Sequence, residues 1–419
     1  MNIKSGFSAV LFAFLSVLLW TGCSSTIKYP IKYPVQNMAV DLIVLAADDM
    51  EGRATGTDGE YKAGNYIASR FRALGLTPKG EDRSYFQSFT KKIKSNPHAE
   101  KPAPDDPEIT GRNVIGFIDN GTANTVVIAA HYDHLGWGEH GSLHSGEKEI
   151  HNGADDNASG VTGLLYLAES LKKSKYRKNN YLFIAFSGEE LGLLGSNYFI
   201  NNPTINFTSI NYMINMDMIG RLKSENKLAV SGVGTSPAFE PVIDAIRYQD
   251  LEIKKELSGS GPSDHMSFYN SGVPVLAFFT GQHEDYHKPS DDAHLINYTG
   301  MKHVVQYIFN IIAGLDKKGK LEFSKTQDPV ASTRAFSVTL GVVPDYLYDG
   351  KGMRIDGVRD GRPGQIAGLR KGDIILKIGE LDVFDINAYM KALTLFKQGQ
   401  KVDLVIKREN EELIKTVTF

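Results

Sequence analysis

Short apolar runs alternate with amphipathic stretches through the middle of this chain. The runs are rich in Val, Ile and Phe and cover residues 113–118, 125–130, 181–186, 212–216 and 273–279. Helical spacing of apolar residues is found at residues 159–173, 192–200, 237–248 and 298–315. Because polar positions hardly interrupt the runs, we expect strands that are covered on both faces. The alternation predicts an α/β sheet with helices on both sides.

Two more helical patterns precede the first apolar run, at residues 40–47 and 61–74, and Gly75 is a typical stop for the second. The polar, Pro-rich stretch 91–107 predicts a surface loop. The predicted core therefore begins near residue 37.

The pattern changes again after residue 316. Residues 317–335 are charged and poor in apolar side chains, which predicts a linker. Residues 336–419 have short strand patterns, Gly-rich turns and one helical stretch at 386–396. Since 419 residues exceed one ordinary core, we expect two domains, at 37–316 and 336–419.

The first residues have the pattern of an export signal. Lys4 is followed by an apolar stretch at 7–20, which is too short for a comfortable membrane span. Cys23 is the only cysteine, so it forms no internal disulfide. One alternative is a stray cysteine beside a cleavage site.

The other alternative rests on a resemblance. The sequence TGCS at residues 21–24 resembles a bacterial lipobox, with Trp20 where Leu is more usual. This implies a signal peptide at 1–22, lipid on Cys23 that anchors the protein to a membrane, and a tether at 23–36. The expected location is the periplasmic side of the bacterial cell envelope, at the outer membrane.

The overall composition excludes few classes of protein. Charged residues make up 23% of the chain, the hydrophobic set 42%, and the formal net charge is −3. No stripe of Lys and Arg with interleaved aromatics stands out, so we expect no nucleic-acid partner.

Side chains suited to divalent metals follow the apolar runs. These candidate ligands are His131, Asp155 or Asp156, Glu190, Asp217 and His287. Imidazole and carboxylate together are typical ligands of zinc and similar ions. Ligands in open α/β sheets bind beyond the carboxyl ends of the strands, which is where these residues are expected. Asp217 lies in an apolar run, where an unpaired acid would be costly to bury.

Other polar residues beside these positions suggest supporting roles. Asp133, two residues after His131, is expected to orient that histidine or its surroundings. Glu189 is a candidate general base beside a metal-bound water. Alternatively, Glu189 and Glu190 complement the N-terminus of the helix predicted from residue 192. The Tyr286 hydroxyl is a candidate donor to a developing oxyanion.

Two further candidates are weaker. His134 is expected to be structural rather than a ligand, and residues 263–265 (SDH) are candidates for contacts around the metal ligands.

In order along the chain, HYDHLG, HNGADDNASG, SGEELGLLGS, NMDMIG and HKPSDD resemble the co-catalytic di-zinc aminopeptidase family. Glutamate-carboxypeptidase-like and glutaminyl-cyclase-like proteins are also members, and the resemblance covers residues 40–315. It implies a mixed sheet sandwiched between helices, as in zinc exopeptidases, and two zinc ions per chain. One zinc would bind His131, Asp156 and Asp217, and the other Asp156, Glu190 and His287. Glu189 would be the general base.

The sequences SVTLGVVPD and GRPGQIAGLRKGDIILKIG resemble a PDZ domain, which implies a small β-rich fold for residues 336–419. Such a domain would add a peptide or protein C-terminus to a sheet edge. The alternative is a PDZ-like fold that only packs against the catalytic domain.

We therefore expect a zinc-dependent aminopeptidase that acts on peptides with a free N-terminus. A carboxypeptidase or glutaminyl-cyclase reaction at the same site is one alternative. A non-catalytic lipoprotein that binds peptides through its PDZ-like domain is another.

Overall fold

The computed structural model describes residues 35–92, 103–326 and 338–419, apart from 346, 347, 349, 359 and 360. The predicted signal peptide, Cys23, most of the tether and much of the predicted loop 91–107 lie outside the described residues. None of the helices among the described residues has the length and apolar character needed to cross a bilayer.

The larger sheet has nine strands among the described residues. They are β1 Thr77–Pro78, β2 Phe86–Lys92, β3 Glu108–Ile118, β4 Thr125–His131, β5 Asn180–Phe186, β6 Ile210–Met216, β7 Lys227–Ser231, β8 Glu252–Lys255 and β9 Val275–Phe279. Their order is β1-β3-β5-β4-β6-β9-β7-β8, and β2 also pairs with β3. The four strands β5, β4, β6 and β9 run parallel, whereas β3 and β7 are antiparallel to their neighbours β5 and β9. The sheet is therefore mixed, as predicted.

Both faces of this sheet are covered. Every residue of β4, β5 and β6 is buried, which confirms the prediction from their unbroken apolarity. Val126 packs in one hydrophobic core and its neighbour Val127 in another, because successive strand residues point to opposite faces. The second core contains Phe199 and Phe268.

The helices of this domain are α1 Val35–Leu45, α2 Asp58–Ala73, α3 Gly160–Lys172, α4 Leu194–Asn201, α5 Phe239–Ala245, α6 His265–Asn270 and α7 Tyr298–Leu315. Helices α1, α2, α3, α5 and α7 contribute to the first core, and α4 and α6 to the second. The Asn297 side chain accepts a hydrogen bond from the Gly300 N–H and so caps α7. The predicted helix at 298–315 coincides with α7.

Some elements differ from the sequence prediction. Helix α5 ends at Ala245 because Ile246 has an extended backbone, so the helix is shorter than the predicted 237–248. Strand β8 has the sequence EIKK and lies at the sheet edge, where no apolar run is needed. Strand β2 alternates buried and exposed positions only in part. These strands were missed because their side chains carry little apolar signal.

Residues 338–419 contain a second sheet with its own hydrophobic core. Its strands are β10 Val342–Pro344, β11 Met353–Val358, β12 Ile374–Ile378, β13 Leu381–Asp382, β14 Lys401–Arg408 and β15 Glu411–Thr418. The order is β10-β11-β12-β14-β15, with β13 paired to β12. Two helices accompany it, α8 Pro363–Ile366 and α9 Ile386–Leu393. The predicted separate β-rich unit is confirmed.

Part of the predicted linker packs on the larger sheet's domain. The Leu321 side chain is buried in its core, and the Leu321 N–H donates to Asn211 Oδ1 at 2.7 Å. The Thr326 hydroxyl lies 2.7 Å from the Tyr269 hydroxyl. The linker's remaining residues, 327–335, lie outside the described residues, and the domain boundaries stay a prediction.

Candidate metal centre

The candidate ligands gather at one edge of the larger sheet. His131 is the last residue of β4, and Asp217 directly follows β6. Glu190 comes four residues after the end of β5, and His287 lies in the segment after β9. Since β5, β4, β6 and β9 are parallel, their carboxyl ends meet at this edge. Asp156 reaches the same place from the segment that precedes α3.

Three of these side chains form a first donor group. His131 Nε2 lies 3.3 Å from Asp156 Oδ1 and 3.4 Å from Asp217 Oδ1. The Asp217 backbone is fixed by its N–H, which donates to the Phe278 carbonyl at 3.1 Å on the neighbouring strand. The potential ligand atoms of His131, Asp156 and Asp217 are close enough to hold one metal ion.

A second donor group forms on the other side of Asp156. His287 Nε2 lies 3.2 Å from Asp156 Oδ2 and 3.3 Å from Glu190 Oε2. Asp156 therefore presents Oδ1 to the first group and Oδ2 to the second. A carboxylate placed in this way can bridge two cations.

The spacing of both groups fits zinc. Zinc binds imidazole nitrogen and carboxylate oxygen at about 2.0–2.2 Å, so neighbouring donors of a tetrahedral ion lie about 3.3 Å apart. The four distances around Asp156 are between 3.2 and 3.4 Å. Imidazole and carboxylate are also the donor types that zinc prefers.

The sequence left Asp155 and Asp156 as alternatives until the family resemblance was considered. Asp155 faces away from both donor groups. Its Oδ1 accepts a hydrogen bond from the Gly220 N–H at 2.6 Å, and its Oδ2 lies 3.2 Å from His283 Nε2. Asp156 is therefore the residue of the pair that the structure places at the centre.

Neighbouring charges and hydrogen bonds shift the pKa values of His131 and Asp156 in the first donor group. Burial opposes ionisation of Asp156, but hydrogen bonds from His131 and His287 hold its pKa well below the usual range. Burial alone would lower the pKa of His131, yet Asp217 and Glu189 raise it well above the ordinary value. The carboxylates thus create a site that favours positive charge.

The second group behaves in the same way. Burial and Asp156 oppose ionisation of Glu190, but His287 and His134 lower its pKa to about 2. Burial alone would lower the pKa of His287, whereas Glu190 and Asp156 raise it well above the ordinary value. Glu190 is therefore ionised at neutral pH and available as a ligand.

Glu189 differs from its neighbour. Burial raises its pKa well above the usual range, and although His131 opposes this shift, Glu190 and Asp217 add to it. A carboxylate removed from water beside other acids binds a proton readily. The direction of this shift distinguishes Glu189 from Glu190, whose pKa is lowered.

Asp133 fixes the segment that carries both glutamates. Its buried carboxylate accepts hydrogen bonds from the N–H of Glu189 at 3.2 Å and from the Thr55 hydroxyl at 3.0 Å. The N–H of Glu190 also donates to it, at 3.4 Å. His131 Nδ1 lies 3.2 Å from the Asp133 backbone carbonyl and 3.7 Å from the carboxylate. Asp133 thus supports both the proposed ligands and the proposed base.

The imidazole of His287 is held from behind. Its Nδ1–H donates to the Gly141 carbonyl at 3.0 Å, which leaves Nε2 to face Asp156 and Glu190. The Tyr286 ring stacks on the His287 ring, with the centroids 3.9 Å apart. The expected role of the Tyr286 hydroxyl in oxyanion binding stays a prediction.

Arg53 is a buried cation beneath the site that the sequence did not single out. Its guanidinium donates to the backbone carbonyls of Leu45, Tyr132, Asn152 and Gly153 at 2.6–2.9 Å. It thereby joins the segment after His131 to the segment before Asp156. Burial lowers the pKa of Arg53 to about 10, and carboxylates including Asp156 counteract that shift. Its only sequence signal is its place in the Gly-rich stretch EGRATG.

Asp291 was also missed, although it belongs to the HKPSDD motif. Its Oδ2 accepts hydrogen bonds from the backbone N–H groups of Asp155 and Asp156, both at 3.0 Å. Its backbone carbonyl accepts from the Ala154 N–H at 2.9 Å. The segment that carries His287 is thus tied to the segment that carries Asp156.

The two weaker candidates also lie near the centre. His134 Nδ1 lies 2.9 Å from Glu190 Oε1. In the 263–265 segment, the Ser263 hydroxyl accepts a hydrogen bond from the Asn215 side chain at 2.9 Å. Burial raises the pKa of Asp264 to about 7, with His131 opposing and Asp133 and Asp217 reinforcing the shift. Asp264 and His265 are both buried.

Comparison with known proteins agrees with this architecture. Residues 113–312 match the family model described as Peptidase family M28. This stretch contains all five proposed ligands and Glu189, so the matched segment is the one that builds the centre. The match covers slightly less than half of the chain.

Individual proteins are similar to this chain in sequence or in fold. Leupeptin-inactivating enzyme 1 of Streptomyces exfoliatus is 30% identical over 273 residues, which are 63% of this chain and 53% of that protein. A leucine aminopeptidase precursor from Bacteroides thetaiotaomicron aligns at 18% identity with a TM-score of 0.51, over 67% of this chain and 97% of that structure. Porphyromonas gingivalis glutaminyl cyclase aligns at 18% identity with a TM-score of 0.52, over 68% and 99% respectively.

These matches support the predicted zinc peptidase. The two solved structures show the fold alone, since their sequence identity to this chain is low. The chain spans about half the length of Leupeptin-inactivating enzyme 1, so its own substrates have to be proposed from the site.

Proposed function

We propose that this protein is a metallo-aminopeptidase that removes N-terminal residues from peptides with the help of two zinc ions. The observation that carries the proposal is the pair of donor groups that share Asp156, with Glu189 beside them. The match of residues 113–312 to the model of Peptidase family M28 supports a peptidase.

In this proposal, His131, Asp156 and Asp217 hold one zinc ion, and Asp156, Glu190 and His287 hold the other. Bound zinc supplies Lewis-acid polarisation of the peptide carbonyl and lowers the pKa of a water molecule.

Glu189 is the proposed general base and acid. Its buried carboxyl lies close to His131, Asp217 and Glu190, where it could accept a proton from the attacking water and return that proton to the leaving amine. The hydrogen bond from its N–H to Asp133 keeps the backbone of Glu189 in place during both transfers. Tyr286, next to His287, is the proposed donor to the developing oxyanion.

We propose a substrate with a free amino terminus, as the name of the aligned leucine aminopeptidase precursor suggests. Three of the four carboxylates at the centre, those of Asp156, Glu190 and Asp217, are assigned to zinc, so the charge of the loaded site does not by itself distinguish an ammonium group from a carboxylate. Peptides with free and with blocked ends therefore decide between an aminopeptidase and a carboxypeptidase.

The proposal is tested with aminoacyl-nitroanilides and with matched peptides that carry free or acetylated N-termini. We expect hydrolysis that needs the free amine, is abolished by chelator and returns on addition of zinc. Glu189→Gln should retain zinc and lose about 10²-fold or more in kcat. Glu284→Gln, which changes an exposed acid of the segment before His287, is the matched control. Near-normal turnover of Glu189→Gln would remove the assigned base.

Glutaminyl cyclisation is the second candidate, because the fold also aligns with the Porphyromonas gingivalis glutaminyl cyclase. Peptides that begin with Gln distinguish the two reactions. Loss of ammonia from an intact peptide would support the cyclase, whereas release of the N-terminal residue would support the aminopeptidase. Cleavage of N-acetylated peptides from the other end would instead indicate a carboxypeptidase.

We also propose that residues 336–419 form a PDZ-like domain that binds a peptide or protein C-terminus. The supporting features are the strand order of the second sheet, the two helices and the short edge strand β10, which follows Leu340 and Gly341. An extended peptide would add to that edge.

Binding of peptides with free C-termini, and not of their amides, to the full chain would support this proposal. Absence of binding would favour a packing role, and a protein that binds peptides but lacks hydrolytic activity would support the non-catalytic alternative.

Lipid anchoring at Cys23 is a third proposal, supported only by the sequence around that residue. Cys23→Ser should release the protein from bacterial membranes, and globomycin should cause the precursor to accumulate. A precursor that is processed normally under globomycin would exclude a lipoprotein. Separation of inner and outer membranes tests the proposed outer-membrane location.

A further inference from the structure

We propose that His134 is a positioning residue that holds Glu190 in the orientation in which only one of its oxygens binds metal. The inference rests on the proposed two-zinc site and adds a residue that is not one of its ligands. The supporting observation is that His134 and His287 contact different oxygens of the Glu190 carboxylate.

The two oxygens of Glu190 face different partners. Oε2 lies 3.3 Å from His287 Nε2, on the side of the second donor group. Oε1 lies 2.9 Å from His134 Nδ1. Because a carboxylate rotates easily between one-oxygen and two-oxygen metal binding, a fixed partner on Oε1 decides which oxygen faces the ion.

The distances separate a hydrogen bond from metal binding. Donors around one zinc ion lie about 3.3 Å apart, and the pairs made by His287 have that spacing. His134 Nδ1 is nearer to Glu190 Oε1, at hydrogen-bond distance, and farther from Asp156 Oδ2, at 3.9 Å. The potential ligand atoms of His134, Asp156 and Glu190 are close enough to hold a metal ion. However, the two distances from His134 Nδ1 are unequal, which favours a hydrogen bond to Glu190 over metal coordination.

Chemistry fixes the direction of that hydrogen bond. The ionised carboxylate of Glu190 has no proton to donate, so His134 Nδ1 must carry the hydrogen. A hydrogen bond to an ionised group is stronger than one between neutral groups, which suits a positioning role.

The His134 ring is held firmly enough to act in this way. The residue is buried, and its ring lies edge-on to the His287 ring, with the centroids 5.7 Å apart. On another side it packs against Gly153, where an added Cβ would lie 2.5 Å from His134 Cδ2. Gly153 also has a φ of +53°, so glycine is required there for both conformation and space.

The experiment compares two substitutions in the full-length protein. In His134→Asn the side-chain amide can donate from nearly the position of Nδ1, whereas in His134→Leu no donor remains. His303→Leu, which removes a half-buried histidine of α7, is the matched control. Zinc stoichiometry and the two dissociation constants are measured by competition with a chromophoric chelator.

We expect His134→Leu to bind the second zinc about 10–100-fold more weakly, with the first zinc little affected. His134→Asn should bind both ions nearly as tightly as the wild type, and His303→Leu should be unchanged. The cobalt-substituted His134→Asn protein should keep the visible absorption of the wild type, because the metal ligands are the same.

Three results would overturn the inference. Tight binding of both ions by His134→Leu would show that Glu190 needs no partner. A changed cobalt spectrum in His134→Asn would make His134 a ligand. Equal weakening of both sites in the two variants, together with a lower melting temperature, would indicate a purely structural residue. A wild-type protein that binds fewer than two ions would instead count against the proposed function itself.

Discussion

The carboxylate of Asp291 accepts a hydrogen bond of 3.0 Å from the backbone N–H of Asp156. Asp156 provides an oxygen to each donor group, and Asp291 lies only four residues after His287 in the chain. One side chain therefore sets the relative position of two segments that both contribute proposed ligands.

Asp291→Ala should weaken zinc binding about 10–100-fold, because residues that orient metal ligands typically contribute that much. The substitution removes the hydrogen-bond acceptor of the Asp156 backbone N–H, and Asp156 is a proposed ligand of both ions. The zinc dissociation constants are measured by competition with a chelator. Asp292→Ala changes the neighbouring, less buried acid and should have a smaller effect. Equal effects of the two substitutions would show that Asp291 has no special position.

Arg53→Met should lower the free energy of unfolding by about 3 kcal/mol or more, because it leaves several buried carbonyls without a donor. Urea unfolding in the presence of chelator measures this effect without any contribution from zinc. The matched control is Arg70→Met, which breaks a partly exposed ion pair with Asp41 and should cost less. An Arg53→Met protein as stable as the wild type would contradict the proposed clamp.

Asp133→Ala should lower turnover about 10–100-fold, since the backbone of Glu189 and Glu190 loses the carboxylate that fixes it. Steady-state kinetics on an aminoacyl-nitroanilide measure kcat and KM separately. Thr55→Val removes only one hydrogen bond to the same carboxylate and should cause a smaller loss. If Thr55→Val and Asp133→Ala were equally impaired, the hydroxyl rather than the carboxylate would be the important group.

His265 should make the protein less stable in acid. Burial lowers its folded-state pKa to about 4, whereas an unfolded histidine has a pKa of about 6.5. Between these values the unfolded chain binds more protons, so stability falls as pH decreases from about 6.5 to about 4, by up to about 3 kcal/mol. His265→Phe should reduce this pH dependence in urea unfolding with chelator present.

His294→Phe, at an exposed position, is the control for the pH experiment and should keep the wild-type slope. An unchanged slope in His265→Phe would mean that other groups cause the loss of stability in acid.

Sequence alone predicted the central sheet well, because β4, β5 and β6 are buried on both faces and their apolar runs are unbroken. The strands β7 and β8 were not predicted. β8 lies at the edge with polar side chains, and β7 has only a short buried stretch. The apolar pattern of the sequence therefore predicted the fully buried strands and missed the partly exposed ones.

The candidate site divides in a similar way. His131 and Asp217 were predicted because they lie at or directly after the ends of apolar strands. The choice of Asp156 over Asp155, and of Glu190 rather than Glu189 as the ligand, was settled by the family resemblance. Arg53 was not predicted because it acts through backbone carbonyls, whose positions depend on the folded chain. The contact of His134 with Glu190 has the same origin, since residues far apart in sequence meet only after folding.

Asp156 has consequences for how the protein is made. Its partners on the two sides, His131 and His287, come from the early and late parts of the domain. A nascent chain that ends before His287 contains only one complete donor group. Under the proposed function, such a truncated product would hold at most one zinc ion.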